Sequence, residues 1–390
     1  MQIPPRILAI DLPPFDPLNT RAAQLRASGH HVISLGQALP FYAPPSSVIR
    51  AAQAALGRAD VHGYTTDPGR PSLRRTLAER LREHERIDCG PDDLLITAGA
   101  NHAFTTALTT LVSAGDEIVL PAPYFTNHQM AVQAAGAIAI EAPVADRESY
   151  SVTWDDIAPV LTDRTRVVVL CNPSNPTGAP VTAAAGTRIV SELADRGILV
   201  ISDETYMHFV YGGTHWSAAS VDGWRRNVIV VGTFSKSFAM MGWRVGYMLA
   251  DAAVCVQATK VQDAMIICAP TISQIAAEAA VRDDWDYPRQ FHADLVERRR
   301  RLSDALTRCK GVSWAPTIGG FFAFVRIDGC TDSNDLALRL LEEAHVVTIP
   351  GVSFGRCGEG CLRLSYGSVD DDALIEATDR LTTFLQRRAD

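Results

Sequence analysis

Two short runs, VVVL at 167–170 and ILVI at 198–201, are apolar at every successive position. Neighbouring side chains on a strand point to opposite faces, so a strand without a polar side must be buried on both. That is the pattern of a parallel sheet covered by helices on two sides. Apolar runs at 94–97, 117–120, 228–232 and 245–249 read as further strands. Helix-length amphipathic segments lie between strands, for example at 101–113, 182–196 and 251–265. Strand and helix alternate from about residue 45 to 285, which predicts a large α/β domain, 45–285, with a mostly parallel sheet.

The pattern changes from 286 to 390. A long helix from about 285 to 310, a strand at 321–327, a helix at 333–344, a strand at 361–365 and a closing helix at 371–388 predict a smaller α+β domain. Residues 1–44 are too few to fold alone. They are expected to pack on the small domain, or on a partner subunit.

Charge and cysteine content narrow the function classes. Lys and Arg total 36 against 44 Asp and Glu, a net charge of −8. An acidic balance repels phosphate backbones, so no nucleic-acid partner is expected. No apolar stretch reaches the roughly 18 residues that span a bilayer, so no membrane partner is expected either. The first 18 residues carry prolines where a signal peptide needs an apolar run. Eight cysteines show no C-x-x-C pair, which predicts reduced thiols, no metal site and a cytoplasmic location.

Several motifs lead nowhere. Gly351-Val-Ser353-Phe-Gly355 matches the nucleophile elbow G-x-S-x-G, but that fold places its histidine after the serine. The last histidine here is His345. Gly232 to Ser237 resembles half a phosphate loop, with Ser235 where the glycine before the lysine is required. No G-x-G-x-x-G follows any strand. The arginine run 298–301 wraps around a helix, because consecutive residues there point about 100° apart.

Three segments resist explanation as packing. Asn172-Pro-Ser-Asn175-Pro-Thr-Gly178 follows the strand that ends at Cys171. Ser202-Asp203-Glu-Thr-Tyr206 ends a second buried strand. Thr233-Phe-Ser235-Lys236 ends a third, with Gly242-Trp-Arg244 beyond it. Open α/β sheets bind ligands at the carboxyl ends of their strands. A lysine at such a place is costly unless exposed, paired or covalently occupied.

Together these segments resemble the aspartate aminotransferase superfamily, the fold-type I enzymes that use pyridoxal 5'-phosphate (PLP). The resemblance runs from Ser34-Leu-Gly36-Gln to Arg363-Leu-Ser-Tyr-Gly367, with N-P-T-G, D-x-x-Y, S-K and R-L-S in the family's order.

The resemblance implies roles. Lys236 matches the Schiff-base lysine, Asp203 the acid beside the pyridine nitrogen, and Asn175 and Tyr206 the groups that hydrogen-bond the ring 3-oxygen. Thr233, Ser235, Arg244 and the helix start at Gly99-Ala100-Asn101 match the phosphate cradle. Phe125 matches the aromatic stacked on the ring, although core packing would explain its type alone. His128 falls where some members support the ring-nitrogen acid, and a structural histidine fits as well. Arg363 and Gly36 match the contacts to the substrate's α-carboxylate. Tyr64 matches a tyrosine that reaches the neighbouring subunit's phosphate, which implies a homodimer with shared sites.

The implied reaction is transamination between an L-amino acid and a 2-oxo acid. Another PLP reaction (lyase, cyclase or oxidase) is the alternative, and a PLP-binding regulator or scaffold a third reading. Some aspartate-specific relatives carry lysine where Asn101 stands, which weighs against a dicarboxylic donor without excluding it. Arg70 is a candidate replacement charge, or a surface arginine. Phe41 and Tyr42 are expected to shape an aromatic or apolar side-chain pocket.

Overall fold

Alternate residues of the central strands feed two separate cores, which is why those strands have no polar side. Val168, Leu170, Val200 and Val230 pack on one face with Leu77, Ile189 and Ala277. Val167, Val169, Ile201 and Val231 pack on the other with Ala103, Phe104 and Leu108. This computed structural model describes residues 2–10, 12, 15–316 and 318–389.

The large sheet has seven strands, in the spatial order Leu94–Thr97, Gly246–Leu249, Val228–Thr233, Leu199–Asp203, Thr165–Cys171, Glu117–Ala122 and Ile138–Pro143. All run parallel except Gly246–Leu249, which is antiparallel to both its neighbours. Helices Pro71–Glu85, Ala183–Asp195 and Thr271–Asp283 cover one face; Ala100–Leu111, Thr126–Ala134 and Ala252–Ile266 cover the other.

A second, four-stranded sheet holds Ile349–Pro350, Cys361–Ser365, Phe322–Ile327 and Val312–Ser313, all antiparallel. Helices His292–Leu306, Ser333–Ala344 and Asp371–Ala389 pack with it. The amino-terminal segment joins this core: Leu18, Ala22 and Leu25 of helix Phe15–Ala27 are buried there, and Ile33–Ser34 pairs in parallel with Val346–Val347.

One expected element is divided. The helix read at 285–310 is a 3₁₀ turn, Tyr287–Phe291, followed by an α-helix, His292–Leu306. Pro288 lacks an N–H, so an α-helix cannot run through it without losing a bond. The edge strand Ile138–Pro143 went unread, because its side chains are mostly half-buried and its pattern is diluted.

Candidate active site

The parallel strands deliver their carboxyl ends to one rim. Cys171 and Asp203 are direct register partners there, and Asp203 also pairs with Val231. Asp203 is buried, and a buried carboxylate must find donors. His128 Nε2 lies 2.9 Å from its Oδ2, and the Thr205 N–H donates to Oδ1 at 3.0 Å. Burial alone would push this carboxyl up, but His128 and Thr205 together outweigh it and hold it below its ordinary value. His128 is fixed in turn by stacking on Phe104, with ring centroids 4.4 Å apart, and by the edge of Phe125.

Lys236 follows strand Val228–Thr233. Its Nζ donates to the Ala38 carbonyl at 2.7 Å. Burial, then the charges of Arg363 and Arg244, lower its amine to about 8. Tyr206 is buried edge-on against Phe321 and Phe322, and that burial pushes its phenol up.

A polar corner adjoins the lysine. Thr233 Oγ1 donates to Ser235 Oγ at 2.9 Å, and the Ser235 N–H donates back to Thr233 Oγ1 at 3.1 Å. Arg244 Nη2 reaches the Ala98 carbonyl at 3.2 Å. Gly99, at φ 91°, caps helix Ala100–Leu111, and a Cβ there would meet Arg244 Nη2 at 2.7 Å. The positive φ favours glycine here, and the missing Cβ lets the guanidinium lie against the helix start.

Arg363 sits in the middle of strand Cys361–Ser365 and is buried. Its Nη1 donates to Asn175 Oδ1 at 2.8 Å and its Nη2 to the Gly36 carbonyl, while Phe354 and Phe322 lie 5.0 and 5.4 Å from its Cζ. Its Nε is buried with no hydrogen-bond partner among the described residues. Burial lowers this guanidinium to about 10, against a smaller upward pull from Tyr206.

These groups face one cavity of about 480 Å³. Lys236, Asp203, Tyr206, Asn175 and Phe125 line it, as do Thr233, Ser235, Arg244, Ala100 and Asn101; Arg363 and Gly36 close the side nearer the small sheet. Gly99 stands directly behind Arg244. Tyr64 lies outside this cavity and is 77% exposed.

Three substrate-pocket candidates lie elsewhere. Arg70 Nε is 3.7 Å from Glu278 and does not line the cavity. Tyr42 stacks on Phe291 at 4.0 Å, with its hydroxyl donating to the Lys236 carbonyl at 3.0 Å. Phe41 packs edge-on to Phe291 beneath Arg298. The expected aromatic pocket is therefore an aromatic buttress behind the lysine. Sequence reading missed Phe15, Asp16 and Asn19 at the mouth, the Ala38 carbonyl and Asn127. No motif marks them, and a backbone carbonyl carries no residue-type signal.

The cavity suits PLP on its own terms. It offers a lysine amine, a hydrogen-bonded acid, a hydroxyl-and-arginine corner at a helix start, and a buried arginine with a spare donor. With the sheet order above, that set defines a fold-type I PLP enzyme.

Comparison with known proteins narrows the class. The family "Aminotransferase class I and II" matches residues 30–381, and the chain belongs to it. An aspartate aminotransferase of Pyrococcus abyssi is 33% identical over 362 residues, 92% of each chain. Aromatic-amino-acid aminotransferase 2 of Thermococcus litoralis is 32% identical over the same length and coverage. The solved aromatic aminotransferase of Pyrococcus horikoshii has a TM-score of 0.88 at 32% identity, covering 95% of this chain and 99% of that one. The protein is a PLP-dependent aminotransferase, and the lyase, cyclase and oxidase alternatives are not favoured.

Proposed function

We propose that this cavity transfers the amino group of an L-amino acid to a 2-oxo acid, with Lys236, Asp203 and Arg363 as its working parts. One observation carries the reading: those three side chains face the same 480 Å³ space at the carboxyl edge of the sheet. Bound PLP supplies a carbonyl for the amino group and a ring that accepts electron density from the substrate's Cα.

The chain's residues do the rest. Arg244, Ser235, Thr233 and the helix start at Gly99, Ala100 and Asn101 hold the phosphate. Phe125 supports the ring face. Asp203, oriented by His128, keeps the ring nitrogen protonated. Asn175 and Tyr206 donate to the 3-oxygen. Arg363 and the backbone of Gly36 bind the α-carboxylate, which fixes the orientation of the Cα–H bond. Lys236, with an amine that burial brings near 8, takes the Cα proton and returns it to the cofactor's carbonyl-derived carbon, two bonds from Cα.

The same reading makes the protein a cytoplasmic homodimer. All eight cysteines are free, which suits a reducing compartment. The exposed Tyr64 suits a contact across subunits. No described helix is long and apolar enough to cross a membrane.

The holoprotein, given an L-amino acid alone, should lose the cofactor's visible band and release the matching 2-oxo acid. A second 2-oxo acid should restore the band. Release of ammonia instead would overturn the reading. Borohydride reduction and peptide mapping should place the cofactor on Lys236; a label on Lys260 or Lys310, the other two lysines, would remove that assignment.

A further inference from the structure

Every cation facing the cavity already has a task. They are Lys236, Arg244 and Arg363. Of the two acids, Asp203 is engaged by His128 and Thr205. The other, Asp16, stands exposed on the first turn of helix Phe15–Ala27 and has no hydrogen-bond or ion-pair partner among the described residues. The cavity is also lined by four amides that the proposed mechanism gives no task in the reaction: Asn19, Gln37, Asn127 and, through its side chain, Asn101. None of these four has a side-chain hydrogen bond among the described residues either.

A donor amino acid anchored on Arg363 lies in the cavity that these groups also line. A distal carboxylate would meet one free acid and four neutral amides, with no spare guanidinium or ammonium among the described residues that line the cavity. Beside the Asp16 carboxylate a second carboxylate is repelled rather than paired. A distal amide or ammonium instead donates to Asp16 and to the amide oxygens.

We propose that Asp16, with the amides around it, selects amino donors whose side chains end in a hydrogen-bond donor and disfavours those ending in a carboxylate. The inference rests on the aminotransferase reading of the same cavity. It takes the pairs glutamine over glutamate and asparagine over aspartate as its clearest expression, since the members of each pair differ only at the distal group.

The test uses the holoprotein with a fixed 2-oxo acid. kcat/KM for each amide should exceed that for its acid by about tenfold or more. Asp16→Lys should lower this amide-to-acid ratio by about tenfold or more, because it replaces the acid with a cation. Binding is read separately by spectral titration with two unreactive probes, maleate and its monoamide, and maleate should bind more weakly. Acids that equal or exceed their amides overturn the proposal. So does an Asp16→Lys ratio within about twofold of the parent, or tighter binding of maleate. Absence of transfer from every amino acid would instead overturn the aminotransferase reading itself, and this proposal with it.

Discussion

Asp203 Oδ2 and His128 Nε2 lie 2.9 Å apart, almost wholly out of solvent, although 75 positions separate them in sequence. A buried carboxylate without partners costs several kcal/mol, so each residue is a condition for the other's position. Asp203→Ala should retain PLP through the phosphate corner but lose most turnover, because nothing then holds the ring nitrogen protonated. Single-turnover kinetics check this. A half-reaction within about threefold of the parent, under about 1 kcal/mol, would remove Asp203 from the mechanism.

Lys236 gives a pH signature in the apoprotein. Its amine titrates at about 8 when folded and at 10.5 as an ordinary lysine. Between those values the unfolded chain binds more protons at this position than the folded one, so stability rises with pH there. The cost of burying the charged amine is fully present below pH 8 and gone above pH 10.5. Lys236→Met should therefore be more stable than the parent at about pH 7, with the gap shrinking by about pH 10. Urea unfolding of both apoproteins measures it; a constant or widening gap contradicts the shifted amine.

Where a residue's environment determines its type, it was legible. Val167 to Leu170 are apolar because two helical layers bury them, and Lys236 announces itself by its cost at a strand end. Legibility fails where backbone or distant packing decides. Gly246–Leu249 is as apolar as its parallel neighbours, so composition could not say that it runs antiparallel. Tyr42 looked like a pocket wall because nothing local reveals Phe291, its stacking partner far along the chain. Asp16 and Asn19 reach the cavity only because Leu18, Ala22 and Leu25 dock their helix on the second core.

Gly99 offers a test of the phosphate corner that leaves every polar group in place. Its φ is 91°, and an added methyl would press on Arg244 Nη2 at 2.7 Å. Alanine at a positive φ with ψ at 171° occupies a region that glycine alone adopts readily, which costs about 1–3 kcal/mol by itself. Gly99→Ala should fold, with a modestly lower Tm, and bind PLP about tenfold more weakly because the strained helix start and the Arg244 tip both shift, a loss of about 1.4 kcal/mol. Fluorescence titration of the apoprotein gives the number. Affinity within about twofold of the parent would show that the helix start at Gly99 does not hold the phosphate.

On the proposed function, Arg363 serves substrate binding and not cofactor binding. Its planar fork spans Asn175 and the Gly36 carbonyl, and Nε has no hydrogen-bond partner among the described residues. Lysine in its place keeps the charge but loses the two-bond geometry that a carboxylate matches. Arg363→Lys should therefore bind PLP with an unchanged visible spectrum. Its kcat/KM for amino acids should fall by about tenfold or more, at least about 1.4 kcal/mol of transition-state binding. Amines without a carboxylate never use the fork, so their slow reaction should change much less. Both substrate kinds are read on one variant, which cancels any general loss of folded protein. Equal losses for amino acids and simple amines would mean that Arg363 braces the strand against Phe322 and Phe354 rather than holding the substrate.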